Sequence, residues 1–87
     1  MKIREGYVLR QVADHYVVLP VGQASVSFNG MLSLNESGAL LWRALENGGD
    51  RETLAAALTA EYEVEREQAL SDADEFIAAL EKIGCVE

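Results

Sequence analysis

Between Met31 and Trp42 the chain reads MLSLNESGALLW, and its period changes at Asn35. Met31 to Leu34 alternates as a short strand, while Ala39, Leu41, Trp42 and Leu45 recur at helical three- and four-residue steps. Asn35 is the expected N-cap, its side-chain oxygen accepting from the backbone N–H of Ser37 or Gly38. Glu36 then sets negative charge against the positive end of the helix dipole. The junction joins the end of a small N-terminal sheet to the first helix of an all-helical second half.

Before this junction, Tyr7 to Val12 and His15 to Val21 read as two strands around a tight turn at Ala13-Asp14, hence a hairpin. Tyr7 and Leu9 fall on one side, Val8, Arg10 and Val12 on the other. Pro20 lacks a ladder donor, which fits a strand end. Residues 22–34 allow two arrangements. Asn29-Gly30 signals a type I′ turn, either closing a second hairpin or marking a bulge in one third strand. A final strand over Met31 to Leu34 is favoured.

After it, Asn47-Gly48-Gly49 ends the first helix and Asp50 caps a second, expected over residues 51–62. A third and longest helix is expected over residues 65–83. Glu65 and Glu67 stand at its start, Lys82 at its end, and Leu70, Ala73, Phe76, Ile77, Leu80 and Ile83 form its buried stripe. Gly84 suits the left-handed residue that closes it. The fold class is α+β: a three-stranded antiparallel sheet followed by three helices, the inventory of a winged helix-turn-helix.

The 87 residues suffice for one domain with one modest core. A net charge of -8, with seven scattered cations, disfavours nucleic acid, because phosphate binding needs clustered Lys and Arg. The third helix, which such a fold would place in the major groove, is acidic along its length. A lone Cys85 makes no internal disulfide, and no apolar run is long enough for a signal peptide or membrane span, so the expected location is cytoplasmic. No acid–base pair, zinc spacing, nucleophile elbow or phosphate loop is evident. His15 reads as a surface residue and Cys85 as a small buried hydrophobe. A binding module without catalysis or cofactors is expected. A sheet edge offers such a module its surface, since unpaired N–H and C=O groups accept an extended peptide as an extra strand.

YVLRQVADHYVVLPVG, MLSLNESGALLW and DADEFIAALEKIGCVE together resemble the PqqD-like family, peptide-binding chaperones named after pyrroloquinoline quinone biosynthesis. The resemblance spans essentially the whole chain, and its most specific part is the strand–Leu–Asn–Glu junction running on to Trp42. It implies a RiPP recognition element, which binds the leader of a ribosomally made precursor peptide and presents it to a modifying enzyme, often of the radical S-adenosylmethionine type. In that family the leader pairs antiparallel with the third strand and lies against the third helix. The residues implied here are Met31, Leu32, Ser33 and Leu34 for pairing, with Phe28, Asn29 and Gly30 at the approach. Glu65, Arg66, Ala69, Asp72, Ala73 and Phe76 would line the groove. Core packing is the alternative for Ala69, Ala73 and Phe76; Asp72 would pair with a leader Lys or Arg. The protein would be a monomer or homodimer, with no nucleic-acid or membrane partner and no cofactor of its own. The runner-up is a winged-helix regulator of DNA or of a regulatory protein; the third is a purely structural subunit of a modifying enzyme.

Overall fold

The computed structural model describes residues 1–22 and 32–86. Three strands, β1 (Tyr7–Val12), β2 (His15–Pro20) and β3 (Leu32–Leu34), precede three helices, α1 (Glu36–Glu46), α2 (Arg51–Glu61) and α3 (Arg66–Ile83). The strands form one antiparallel sheet in the order β1-β2-β3, leaving β1 and β3 as its edges.

β1 and β2 pair from Tyr7 opposite Pro20 to Val12 opposite His15. That register leaves Ala13 and Asp14 as a two-residue turn. Ala13 takes φ 56°, at the first turn position, where a primed hairpin turn favours glycine. Across the other ladder, Tyr16, Val17 and Val18 face Leu34, Ser33 and Leu32. Side chains alternate accordingly. Tyr7, Leu9, Leu32 and Leu34 pack with Val18 onto the core, while Ser33 is exposed.

Each helix begins and ends for a local reason. The Asn35 Oδ1 accepts from the Gly38 N–H at 2.8 Å and from the Ser37 hydroxyl at 2.9 Å, so the cap selects Gly38 for the backbone bond. Gly38 also has to be small. A Cβ there would lie 3.2 Å from the Leu34 side chain, so its absence lets α1 leave β3 at close quarters. At α2, the Asp50 carboxylate accepts from the Thr53 N–H at 3.0 Å while Thr53 Oγ1 accepts from the Asp50 N–H, a reciprocal capping box. Gly84 closes α3 at φ 89°, with the Leu80 carbonyl accepting from both Gly84 and Cys85.

The core gathers Val18, Trp42, Leu45, Leu54, Ala55, Ala69, Ala73, Leu80 and Cys85, each at most 1% exposed. Trp42 sits among them, its indole N–H without an acceptor among the described residues. Two ion pairs tie α2 to α3 at the surface: Arg51 donates to both oxygens of Asp74 at 2.8 Å, and Arg66 binds Glu52.

The boundaries shift slightly from those expected. β2 stops at Pro20 rather than Val21, although the Val21 N–H still bonds the Gly6 carbonyl. α2 stops at Glu61 rather than residue 62, and α3 starts at Arg66, with Glu65 as N-cap. One element is absent from the sequence reading altogether. Ile3 bridges Val86 antiparallel, the Arg4 N–H bonds the Cys85 carbonyl, and the Arg4 side chain reaches the Val86 carbonyl at 3.2 Å. The N-terminal segment thus pairs with the chain beyond α3. The Asn29-Gly30 question lies outside the described residues.

Candidate functional site

Among the described residues β3 is an edge strand. No described residue pairs with it on the side away from β2. In an antiparallel ladder, residues alternate in turning both backbone groups toward or away from a given neighbour. Along three residues, either Ser33 or the pair Leu32 and Leu34 therefore presents N–H and C=O outward.

A groove of about 610 Å³ opens where β3 gives way to α1. Asn35 and Ser37, just past the strand, form one end. Leu41 and Leu58 form its apolar floor with Val64, while Tyr62 walls it from the end of α2 and Phe76 from α3. Asp72 and Glu75 stand on α3 at its rim. The spacing explains the mix: Asp72 and Phe76 are four apart on one helix face, with Glu75 beside them.

The residues implied by family resemblance separate into five groups. Asp72 and Phe76 line the groove. Leu32, Ser33 and Leu34 form the edge strand, with Leu32 and Leu34 turned to the core and Ser33 to solvent. Glu65 and Arg66 are exposed at the start of α3 and do not line the groove; Arg66 is held to Glu52 instead. Ala69 and Ala73 are fully buried members of the core, small residues that let α3 approach its neighbours. Phe28, Asn29, Gly30 and Met31 lie outside the described residues.

Sequence reasoning missed Leu41, Val64 and Glu75, Leu58 and Tyr62 on and just past α2, and Asn35 and Ser37, read only as a helix cap. Tyr62 carried a signal. It is a large aromatic just past a helix end and remains 39% exposed.

The groove is electronegative. The Tyr62 hydroxyl is pushed above its ordinary pKa, first by desolvation and then by the Glu36 and Glu61 carboxylates. Asp72 accepts from the Gln68 side chain at 2.9 Å, and no described cation pairs with Asp72 or Glu75. Chemically the site offers apolar surface, backbone hydrogen bonds and negative charge. The Cys85 thiol is buried away from it and pushed to higher pKa by that burial, which keeps it protonated at neutral pH. His15 is on the surface beside Asp14 at 3.5 Å. Among the described residues no cluster of His, Cys, Asp or Glu is arranged to hold a metal, and no helix is long and apolar enough to cross a membrane.

The family model for coenzyme PQQ synthesis protein D (PqqD) matches residues 15–86, from the start of β2 to the end of the bridge beyond α3. The chain belongs to the PqqD family. Two solved structures extend the likeness of this PqqD-family chain to its full length. One, described as TbiB1 in complex with the TbiA(beta) leader peptide, is 29% identical, with a TM-score of 0.79 over 100% of this chain and 95% of that one. The other, lasso peptide synthetase B1 complexed with the leader peptide, is 27% identical, with a TM-score of 0.76 over 99% and 95%. No curated protein matches the sequence.

Proposed function

We propose that this PqqD-family domain binds the leader segment of a ribosomally synthesised precursor peptide, without catalysing a reaction itself, and presents it to a modifying enzyme. The observation that carries the reading is a β3 edge unpaired among the described residues, running directly into an apolar groove against α3. Two relatives of the same fold, each in complex with a leader peptide, support it. The leader adds as a strand to β3 and continues over the groove, its alternate apolar side chains meeting Leu41, Leu58, Tyr62, Val64 and Phe76.

Affinity follows from two sources. The described length of β3 offers about two to four backbone bonds, each worth roughly 0.5–1.5 kcal/mol net, fewer than a longer strand would. Apolar side chains entering the groove add ~1.5–3 kcal/mol each. Ordering a flexible leader costs on the order of 2–5 kcal/mol. Most of the surplus therefore comes from the groove, and the strand bonds chiefly set register. The modifying enzyme is of the radical S-adenosylmethionine type in this proposal, and its cofactors stay with it.

Isothermal titration with the leader of a precursor encoded beside this gene tests the reading. Saturable one-to-one binding is expected. Leu32→Pro, which deletes an N–H and disturbs the edge, should weaken it by at least about tenfold with an unchanged far-UV circular dichroism spectrum. Undiminished binding by a folded Leu32→Pro protein would place the leader elsewhere.

A further inference from the structure

The groove is walled by two aromatic rings, Tyr62 and Phe76, and rimmed by two carboxylates, Asp72 and Glu75, that no described cation neutralises. Two other acidic residues on α2 and α3 are held by cations away from the groove, Asp74 by Arg51 and Glu52 by Arg66. At this rim two carboxylates, unpaired among the described residues, thus stand directly beside two aromatic rings. Resting on the leader-binding reading, we propose that this groove selects a leader carrying one basic side chain, Arg or Lys, at the position that points toward α3.

The chemistry fits a long amphipathic cation better than a purely apolar residue. Its methylene stem lies along Leu58, Val64 and Phe76, while its charged head stays near water at the rim. There the head meets the faces of Tyr62 and Phe76 as a cation–π partner and the two carboxylates as counterions. The charge distribution agrees. Through Leu34 the chain has three cations against two acids, and beyond it four against thirteen, so the field that a bound leader feels comes from the helices. An acidic side chain at this position would be repelled, which makes the rim a filter as well as an anchor.

The test selects the ligand rather than assuming it. The intact protein is panned against phage-displayed random peptides of about twelve residues, long enough at about 3.3 Å per residue to span both edge and groove. The enriched peptide is then synthesised with its Arg replaced by citrulline, or its Lys by norleucine, and titrated by fluorescence anisotropy. Expected are enrichment of Arg or Lys at a single position and a loss of about tenfold on neutralising it, shrinking as salt rises. In the Asp72→Asn/Glu75→Gln double variant, with an unchanged melting curve, the neutral and charged peptides should bind within about twofold of each other. Enriched peptides that lack a fixed cation, or a cation preference that survives the double variant, overturn this inference. If those same peptides still lose binding to Leu32→Pro, the leader-binding reading stands without it. Failure to enrich any peptide overturns both.

Discussion

Ala13 is where single-residue strain is most exposed. Its φ of 56° puts a Cβ in the left-handed region, which costs about 1–2 kcal/mol for an L-residue. Glycine removes that strain and adds roughly 0.5–1 kcal/mol of unfolded-state entropy. Ala13→Gly should therefore stabilise by about 0.5–1 kcal/mol, read as a higher urea midpoint at constant slope. Gly38 works in the opposite sense. Any Cβ there meets Leu34 at 3.2 Å and Asn35 Oδ1 at 3.3 Å, so the strand side chain and the cap must both give way to a larger residue. Gly38→Val should destabilise by about 1–3 kcal/mol, and because Leu34 belongs to the edge strand, it should also weaken peptide binding. The Asn35 cap was legible in the sequence from its spacing alone. The Gly38 contact was not, because it depends on how closely a strand and a helix approach in space.

Among the elements, α2 and α3 show what pattern reading captures and what it misses. The three- and four-residue recurrence identified both helices, the cap at Asp50 and the closing Gly84, because these depend on neighbours in sequence. Which side of α3 faces the core was less legible. Ala73 falls on the stripe read as buried but Ala69 does not, and both are fully enclosed where α3 meets its neighbours. The α2–α3 contact also carries a pH signature. Arg51 holds the Asp74 carboxyl below its usual value of 3.8, so this pair contributes stability that is present above that pH and is lost as pH falls through the depressed native value. Asp50, lowered from the same starting value by its Thr53 bonds, acts in the same direction. Melting temperatures measured downward from neutral pH should begin to drop near pH 3.8, and Asp74→Asn should flatten part of that drop. Equal slopes for the two proteins would show that the ion pair adds nothing.

Over the whole molecule, the N-terminal segment and the residues beyond α3 form a closure far apart in sequence: Ile3 with Val86, and Arg4 with Cys85 and Val86. Ile3 packs partly buried against the core, so Ile3→Ala should cost about 1–2 kcal/mol, with faster hydrogen exchange at Arg4. If only the exchange rate moved, the bridge would be a local clip rather than part of the cooperative fold. By itself the sequence determined the order of strands and helices, their caps, the apolar stripes and the net charge of -8. Each of these depends on local periodicity, on backbone groups a few residues away, or on charges that can be counted. Only the tertiary structure decided that Tyr62 and Leu58 meet Asp72 and Phe76 across one groove, that Ala69 and Ala73 belong to the core, and that the two ends of the chain pair. These arrangements depend on how closely whole elements approach, and that distance is set by side-chain volumes summed across the interior.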